Sequence, residues 1–140
     1  MNCRFENTVP TAPIVYYLYL KTAAKPQDHY LIETQMSLSE TAPILEVAML
    51  DVKPGQEKAF ENAFKQAQDI ISGMQGYISH ELQKCVENPS RYLLLVKWET
   101  LADHTTGFRE SKEYTQWRAL LHHFYEPFPD VQHFNAINLS

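Results

Sequence analysis

Between Ile44 and Ile137, short apolar runs alternate with two stretches of helical periodicity, in an order that leaves few folds open. The run "ILEVAMLDV" (44–52) is mostly apolar, contains β-branched residues and is closed by Lys53-Pro54-Gly55, which predicts a strand buried on both faces. In the stretch that follows, Ala59, Phe60, Ala63, Phe64, Ala67, Ile70, Ile71 and Met74 recur at spacings of three and four. This predicts a helix with one buried stripe, with Gly73 and Gly76 placed for a left-handed stop. "YISHELQKC" (77–85) and "RYLLLVKWE" (91–99) flank "VENPS", whose Asn88-Pro89 marks a turn, so the two form an antiparallel hairpin. Thr100 and Asp103 fit a capping box at the start of the next helix, and Ser111 caps a second segment carrying Tyr114, Trp117, Leu120, Leu121 and Phe124. Gly107 falls near the break between the two. "EPFPD" ends the helical region, and "VQHFNAI" (131–137) has the character of a last strand.

The order is βαββαβ, which predicts an α+β, ferredoxin-like antiparallel sheet with both helices on one face. Tyr92, Leu94, Val96 and Trp98 share one side of the third strand, and Leu93 and Leu95 the other, so neither face suits water across its width. The expectation is a homodimer joined through its sheets.

A chain of 140 residues, 44% of them hydrophobic, supports one core and not comfortably two. A formal net charge of −5 and the lack of any Lys/Arg run argue against a nucleic-acid partner. Cys3 and Cys85 follow no spacing pattern and read as reduced thiols in the cytoplasm. "APIVYYLYL" (12–20) is far shorter than the roughly 20 residues of a membrane helix and lacks the flanks of a signal peptide, so no membrane association is expected.

Residues 1–43 differ in character from the rest, and Met36 opens a plausible start of its own. They read as an N-terminal extension, of which residues 1–35 are a leader from an upstream start, a loosely specified arm, or a segment that packs on the domain at 44–140. Tyr16, Tyr17 and Tyr19 would suit an added edge strand.

The βαββαβ order, "GYISHELQKC", "YLLLVKWETLADHTTGFRESKEYTQWRALL" and "PDVQHF" resemble the antibiotic biosynthesis monooxygenase (ABM) domain over about residues 44–137. The ordered set Trp98, His104, Phe108-Arg109, Ser111, Trp117-Arg118 and Pro129 to Phe134 is the most specific part of the likeness. The resemblance implies a dimeric α/β barrel with a pocket between sheet and helices. Different members use that pocket for cofactor-free oxidation of aromatic polyketides, for haem degradation or for handling small metabolites. Haem-degrading members resemble one another in a first-strand asparagine, a tryptophan ending the third strand and a haem-ligating histidine on the second helix. Only Trp98 matches here. Ala48 stands at the first of these positions, Trp117 or Arg118 at the last, and His122 and His123 follow about a turn later, so haem degradation is disfavoured.

Trp98 at a strand end and His104 just inside the next helix would meet at one cavity mouth, where His104, sharing a face with Leu101 and Phe108, would titrate near neutrality as a general base. The plainer alternatives are a core histidine bonded to a backbone carbonyl and a tryptophan that only packs. Arg118, with Arg109, would supply donors to a developing oxyanion, against the alternative of exposure or pairing with Glu110 or Glu113. His80, on a face with Ile78 and Leu82, is a second inward polar candidate. Phe108, Tyr114, Trp117 and Phe124 are candidates to line a substrate pocket, although their spacing is first a core signal. Neither a metal-ligand motif, a phosphate loop nor a GxSxG elbow is present.

Two functions from different classes follow. One is a cofactor-independent monooxygenase that oxidises a small quinol-like or polyketide-like aromatic with O2, needing only a base, a dry cavity and oxyanion donors. The other is a non-catalytic small-molecule-binding dimer, or an isomerase of a small metabolite.

Overall fold

A computed structural model describes residues 42–140; the expectations for Cys3, for the tyrosines at 16, 17 and 19 and for a start at Met36 lie outside the described residues. The elements are β1 (Ile44–Asp51), α1 (Glu57–Ser72), β2 (Tyr77–Lys84), β3 (Arg91–Trp98), a π-helical turn (Asp103–Phe108), α2 (Lys112–Leu121), a 3-10 turn (His122–Phe124) and β4 (Val131–Asn135). The strands form one antiparallel sheet in the order β2-β3-β1-β4, the α+β ferredoxin-like arrangement expected, and within one chain the sheet stays open.

β1 departs from the expectation of burial on both faces. Ile44, Glu46, Ala48 and Leu50 are buried beneath the helices, while Leu45 and Val47 are half-buried and Met49 is exposed. Helices cover only one side, so alternation along the strand translates directly into burial. β3 follows the same rule, with Tyr92, Leu94, Val96 and Trp98 buried and Leu93 and Leu95 half-buried. From α1 the apolar stripe delivers Phe60, Phe64, Ala67 and Ile71 to the core. Phe60 packs on Tyr92 at 4.8 Å between ring centroids, and Phe64 meets Trp117 of α2 at 5.8 Å, which joins the two helices over one face. Burying one such aromatic stabilises by about 2–3 kcal/mol.

The β2–β3 hairpin closes as the sequence indicates, with Arg91 N–H donating to the Asn88 carbonyl at 3.0 Å. A bulge between Tyr77 and Ser79 was not foreseen. It turns Ile78 outward, so His80 and Leu82, opposite Val96 and Leu94, keep the helix side without it.

After α1 the left-handed residue is Gly76 (φ 78°), whereas Gly73 is right-handed. A Cβ at Gly76 would collide with the Asp103 side chain, so that glycine is required both by its backbone and by its neighbour. Asp103 is held there by the expected box: its N–H donates to Thr100 Oγ1 at 3.2 Å, and Thr100 N–H donates to Asp103 Oδ2 at 3.1 Å. The segment beyond the box winds as a π-helix and not as the α-helix expected. Arg109 N–H bonds back to the His104 carbonyl five residues earlier at 2.9 Å, with Gly107 inside the widened turn. His104 and Phe108 are buried on one side of it, but Leu101, expected on that face, lies before the π segment and is exposed. Ser111 caps α2 by accepting from the Tyr114 N–H at 3.1 Å.

Candidate functional site

Trp98 is the last residue of β3, and its inward position follows from the alternation that buries Tyr92, Leu94 and Val96. Its indole N–H donates to Glu46 Oε2 on β1 at 2.8 Å. The capping box turns the chain back over the sheet, so His104 stacks on Trp98 with centroids 5.4 Å apart and planes 26° from parallel. His104 Nε2 lies 3.4 Å from Glu46 Oε1, and its Nδ1 lies 2.7 Å from Nε2 of His133 on β4. His133 is the cross-strand neighbour of Glu46, so three elements converge on one carboxyl group.

Burial governs the electrostatics. Glu46 is 5% exposed and its carboxyl is pushed up to about 7, with the Trp98 hydrogen bond and the Arg109 charge pulling the other way. His104 is 2% exposed and is pushed down to about 3 by burial, with the His133 and Arg109 charges adding to it. Burial thus works against the expected titration of His104 near neutrality and favours its neutral ring, while the same burial brings the Glu46 carboxyl group towards that range. Their 3.4 Å contact is one between a neutral ring and a carboxyl group, since neither charge is hydrated there.

Beside this pair lies a narrow cavity that opens to solvent. Glu46, Ala48, Leu50 and Leu94 of the sheet form one wall, and His104, Phe108, Tyr114 and Trp117 of the helical layer form another. His122, Tyr125, Phe128 and Pro129 also line the cavity. His122 is pushed down to about 4, by burial first and then by Arg118 and Arg109. Arg109 is exposed at the mouth, its guanidinium 5.2 Å from the centre of the Tyr114 ring.

Of the candidates named from the sequence, His104, Phe108, Tyr114 and Trp117 thus share the cavity. Trp98 stands behind His104 and is not part of the lining. Arg118 is exposed on α2, 6.0 Å from the Tyr114 ring centre, and does not line the cavity. Neither arginine forms the ion pair with Glu110 or Glu113 weighed as an alternative, among the described residues. Phe124 packs on Phe60 in the core at 5.9 Å. His80 lies in a separate cluster, its Nδ1 2.6 Å from the Tyr77 hydroxyl and its ring beside Phe64.

Sequence reasoning missed Glu46 and His133. The signal was present: in "ILEVAML" Glu46 occupies the register of Ile44, Ala48 and Leu50, and in "VQHFN" His133 occupies that of Val131. Once only one face is buried, an acid in that register must be satisfied inside the core.

Among the described residues, no group of three or more His, Cys, Asp or Glu could hold a metal ion. No described helix is long and apolar enough to cross a membrane.

Residues 43–120 match the family model described as antibiotic biosynthesis monooxygenase. The Bacillus subtilis protein YczJ is 61% identical over 94 residues, which cover 67% of this chain and 99% of that protein. A solved structure from Bordetella bronchiseptica, named after the antibiotic biosynthesis monooxygenases, is 33% identical, with a TM-score of 0.66 over 69% of this chain and 99% of that one. SnoaB of Streptomyces nogalater, a cofactor-independent oxygenase, is similar in fold at 14% identity, with a TM-score of 0.62 over 69% of this chain and 95% of its own.

Proposed function

The chain belongs to the antibiotic biosynthesis monooxygenase family, and from that premise we propose that it is a cofactor-independent monooxygenase acting on a small quinol-like or polyketide-like aromatic. The observation that carries this reading is the buried Glu46–His104 pair against Trp98, open to a cavity walled by aromatic side chains. An electron-rich phenol asks for little beyond removal of its proton. The phenolate passes an electron to O2, the two radicals combine, and loss of water leaves a carbonyl on the ring. One oxygen atom ends in that carbonyl and the other in water, with every electron supplied by the substrate.

Glu46, pushed up to about 7, takes the phenolic proton at physiological pH, and His104 orients its carboxyl group. Phe108, Tyr114 and Trp117 sandwich the ring and keep water away. Arg109 at the mouth donates to the reduced oxygen. Trp98 fixes the Glu46 carboxylate through its indole N–H. The assignment to Arg118 is weaker by its distance from the cavity, and it contributes charge near His122. Haem cleavage finds no support: Ala48, in the cavity wall, offers no amide, and the helical position falls on Trp117 or Arg118, neither of which is a histidine.

The reading includes a homodimer. Leu45, Val47, Met49, Leu93, Leu95 and Phe134 form an apolar face on the sheet opposite the helices, with Met49 45% and Phe134 49% exposed. A second copy of the same sheet is the self-complementary cover. The unpatterned cysteines agree with a reducing cytoplasm.

The test is oxygen uptake by protein free of added metal and flavin, against hydroquinones and anthrone-like phenols, with His104→Ala alongside. Uptake that requires His104 supports the oxygenase. Ligands that bind with no uptake transfer the weight to a small-molecule-binding dimer.

A further inference from the structure

The oxygenase reading needs somewhere to keep the substrate's proton until oxygen has been reduced, and the cavity itself is a poor place for it. A proton left on Glu46 would leave the carboxyl unable to act again, while His104 is too deeply buried to hold it as an imidazolium. Beyond His104, however, stands a second ring. We propose that Glu46, His104 and His133 form a reversible proton relay that parks the substrate's proton on β4 and returns it to the reduced oxygen. The proposal rests on the functional reading above. His133 touches no reacting atom; it acts through His104 and is a positioning residue.

Both ring nitrogens of His104 face a proton-exchanging group, Nε2 towards Glu46 at 3.4 Å and Nδ1 towards His133 Nε2 at 2.7 Å. A neutral imidazole carries one N–H, so two arrangements are open. In the first, Nδ1–H donates to His133 and Nε2 presents a lone pair to Glu46. In the second, Nε2–H points to the Glu46 carboxylate and Nδ1 accepts from His133. Passing from the first to the second moves a proton from one end of the chain to the other, while His104 begins and ends neutral. The downward push on His104 is therefore no obstacle to the transfer.

The steps balance. The phenolic O–H breaks as an O–H forms on Glu46. That proton passes to His104 Nε2 while the proton on His104 Nδ1 passes to His133 Nε2. The result is a Glu46 carboxylate, a neutral His104 and a His133 imidazolium. Burial, and then Arg109, also push His133 down, but it is half-buried where His104 is almost fully enclosed, so water reaches the charge there as it cannot at His104. When the reduced oxygen takes its proton the transfers reverse, and every ring regains its starting tautomer without turning over.

The charged and titratable groups that face the relay are few. Arg109, from the segment after the π-helical turn, disfavours the cation on both histidines and favours the Glu46 carboxylate. Tyr114 and His122 face it across the cavity, with Arg118 behind them. His80 belongs to the separate Tyr77–Gln68 cluster.

The experiment is NMR of the full chain labelled with 15N-histidine, followed from pH 5 to 8.5 in wild type and in the near-isosteric Glu46→Gln, with oxygen uptake on an anthrone-like phenol measured for wild type and His133→Gln. The expected result is a shared step near neutrality in the signals of both His104 and His133, lost from both in Glu46→Gln. His133→Gln should lower kcat about tenfold, less than removal of the base itself, leave KM unchanged and shift the pH profile. A His133 that titrates identically with and without the Glu46 carboxyl group overturns the relay. So does a His133→Gln enzyme with the wild-type kcat and pH profile. A shared NMR step without oxygen uptake by the wild type supports the proton coupling of the three residues but overturns the oxygenase reading, and with it the return of a proton to reduced oxygen, so the two failures are distinguishable.

Discussion

On the helix-covered side of β1 the carboxyl group of Glu46 is 5% exposed, whereas on the opposite side of the same strand Met49 is 45% exposed. Leu93 lies across from Met49 on that outer face, with Val47 on one side of it and the Asp51–Arg91 ion pair on the other, and the inner face gathers an acid, an indole and two imidazoles. At these two positions of one strand the usual relation between polarity and exposure is reversed. A buried carboxyl group costs several kcal/mol unless it is satisfied or neutral, and an apolar face left in water forgoes a comparable gain. Neither arrangement serves the stability of an isolated subunit. Under the proposed function the inner departure serves chemistry and the outer one a second copy, and the two can be separated by mutation.

The largest effect is expected on the inner face. His104→Ala should reduce oxygen uptake by about 10²–10⁴-fold, the range for loss of a positioned acid–base group, while sedimentation shows an unchanged assembly. A loss of assembly in that variant would mean that the two faces are not independent.

Next comes the pH dependence of stability. A carboxyl group raised from 4.5 to about 7 binds more protons folded than unfolded, so its contribution falls as pH rises through that window. At about 1.4 kcal/mol per pH unit the whole change is about 3 kcal/mol. His104, lowered from 6.5 to about 3, works in the opposite sense: its contribution rises with pH between those values. The two offset each other between 4.5 and 6.5. His122, lowered from 6.5 to about 4, adds a rise with pH over the same range, so urea unfolding should show the wild type gaining stability with pH there and Glu46→Gln gaining it more steeply. Parallel profiles for the two proteins would contradict the inner-face assignment.

On the outer face, Leu95→Lys should leave the unfolding midpoint of the subunit within about 0.5 kcal/mol, because the side chain is half-exposed. It should weaken self-association at least about tenfold by sedimentation, with the Glu46 titration intact. The smallest effect is Thr100→Ala, which removes one side of the capping box and should cost about 1 kcal/mol. Its sharper reading is the His104–His133 coupling by NMR, which should weaken as the turn loses its anchor.

The hairpin, the stripe of α1 and the two caps were legible because each rests on local rules, such as Asn88-Pro89, Phe60-Phe64-Ala67-Ile71 and Ser111. The bulge at Ile78 and the π winding after Asp103 were not, because both place one extra residue where packing across the sheet decides, and no residue type announces it. In the site, Trp98 and His104 were readable from a strand end followed by a cap. Glu46 was hidden by treating β1 as buried on both sides, which removed the question of which way an acid points. His133 lies on another strand altogether, and only the register of β4 against β1 joins the two.

The π-helical turn makes the site depend on phase. Bonds that reach back five residues mean that the turn holds one residue more than an α-helix would, and in an α-helix each residue is worth about 100° of rotation. Deleting a single residue between His104 and Arg109 would swing the guanidinium away from the cavity mouth even with every named side chain retained. Moving this chemistry onto a related scaffold is therefore a matter of spacing as well as identity: a recipient helix without the extra residue would receive the letters of the site but read them out of step.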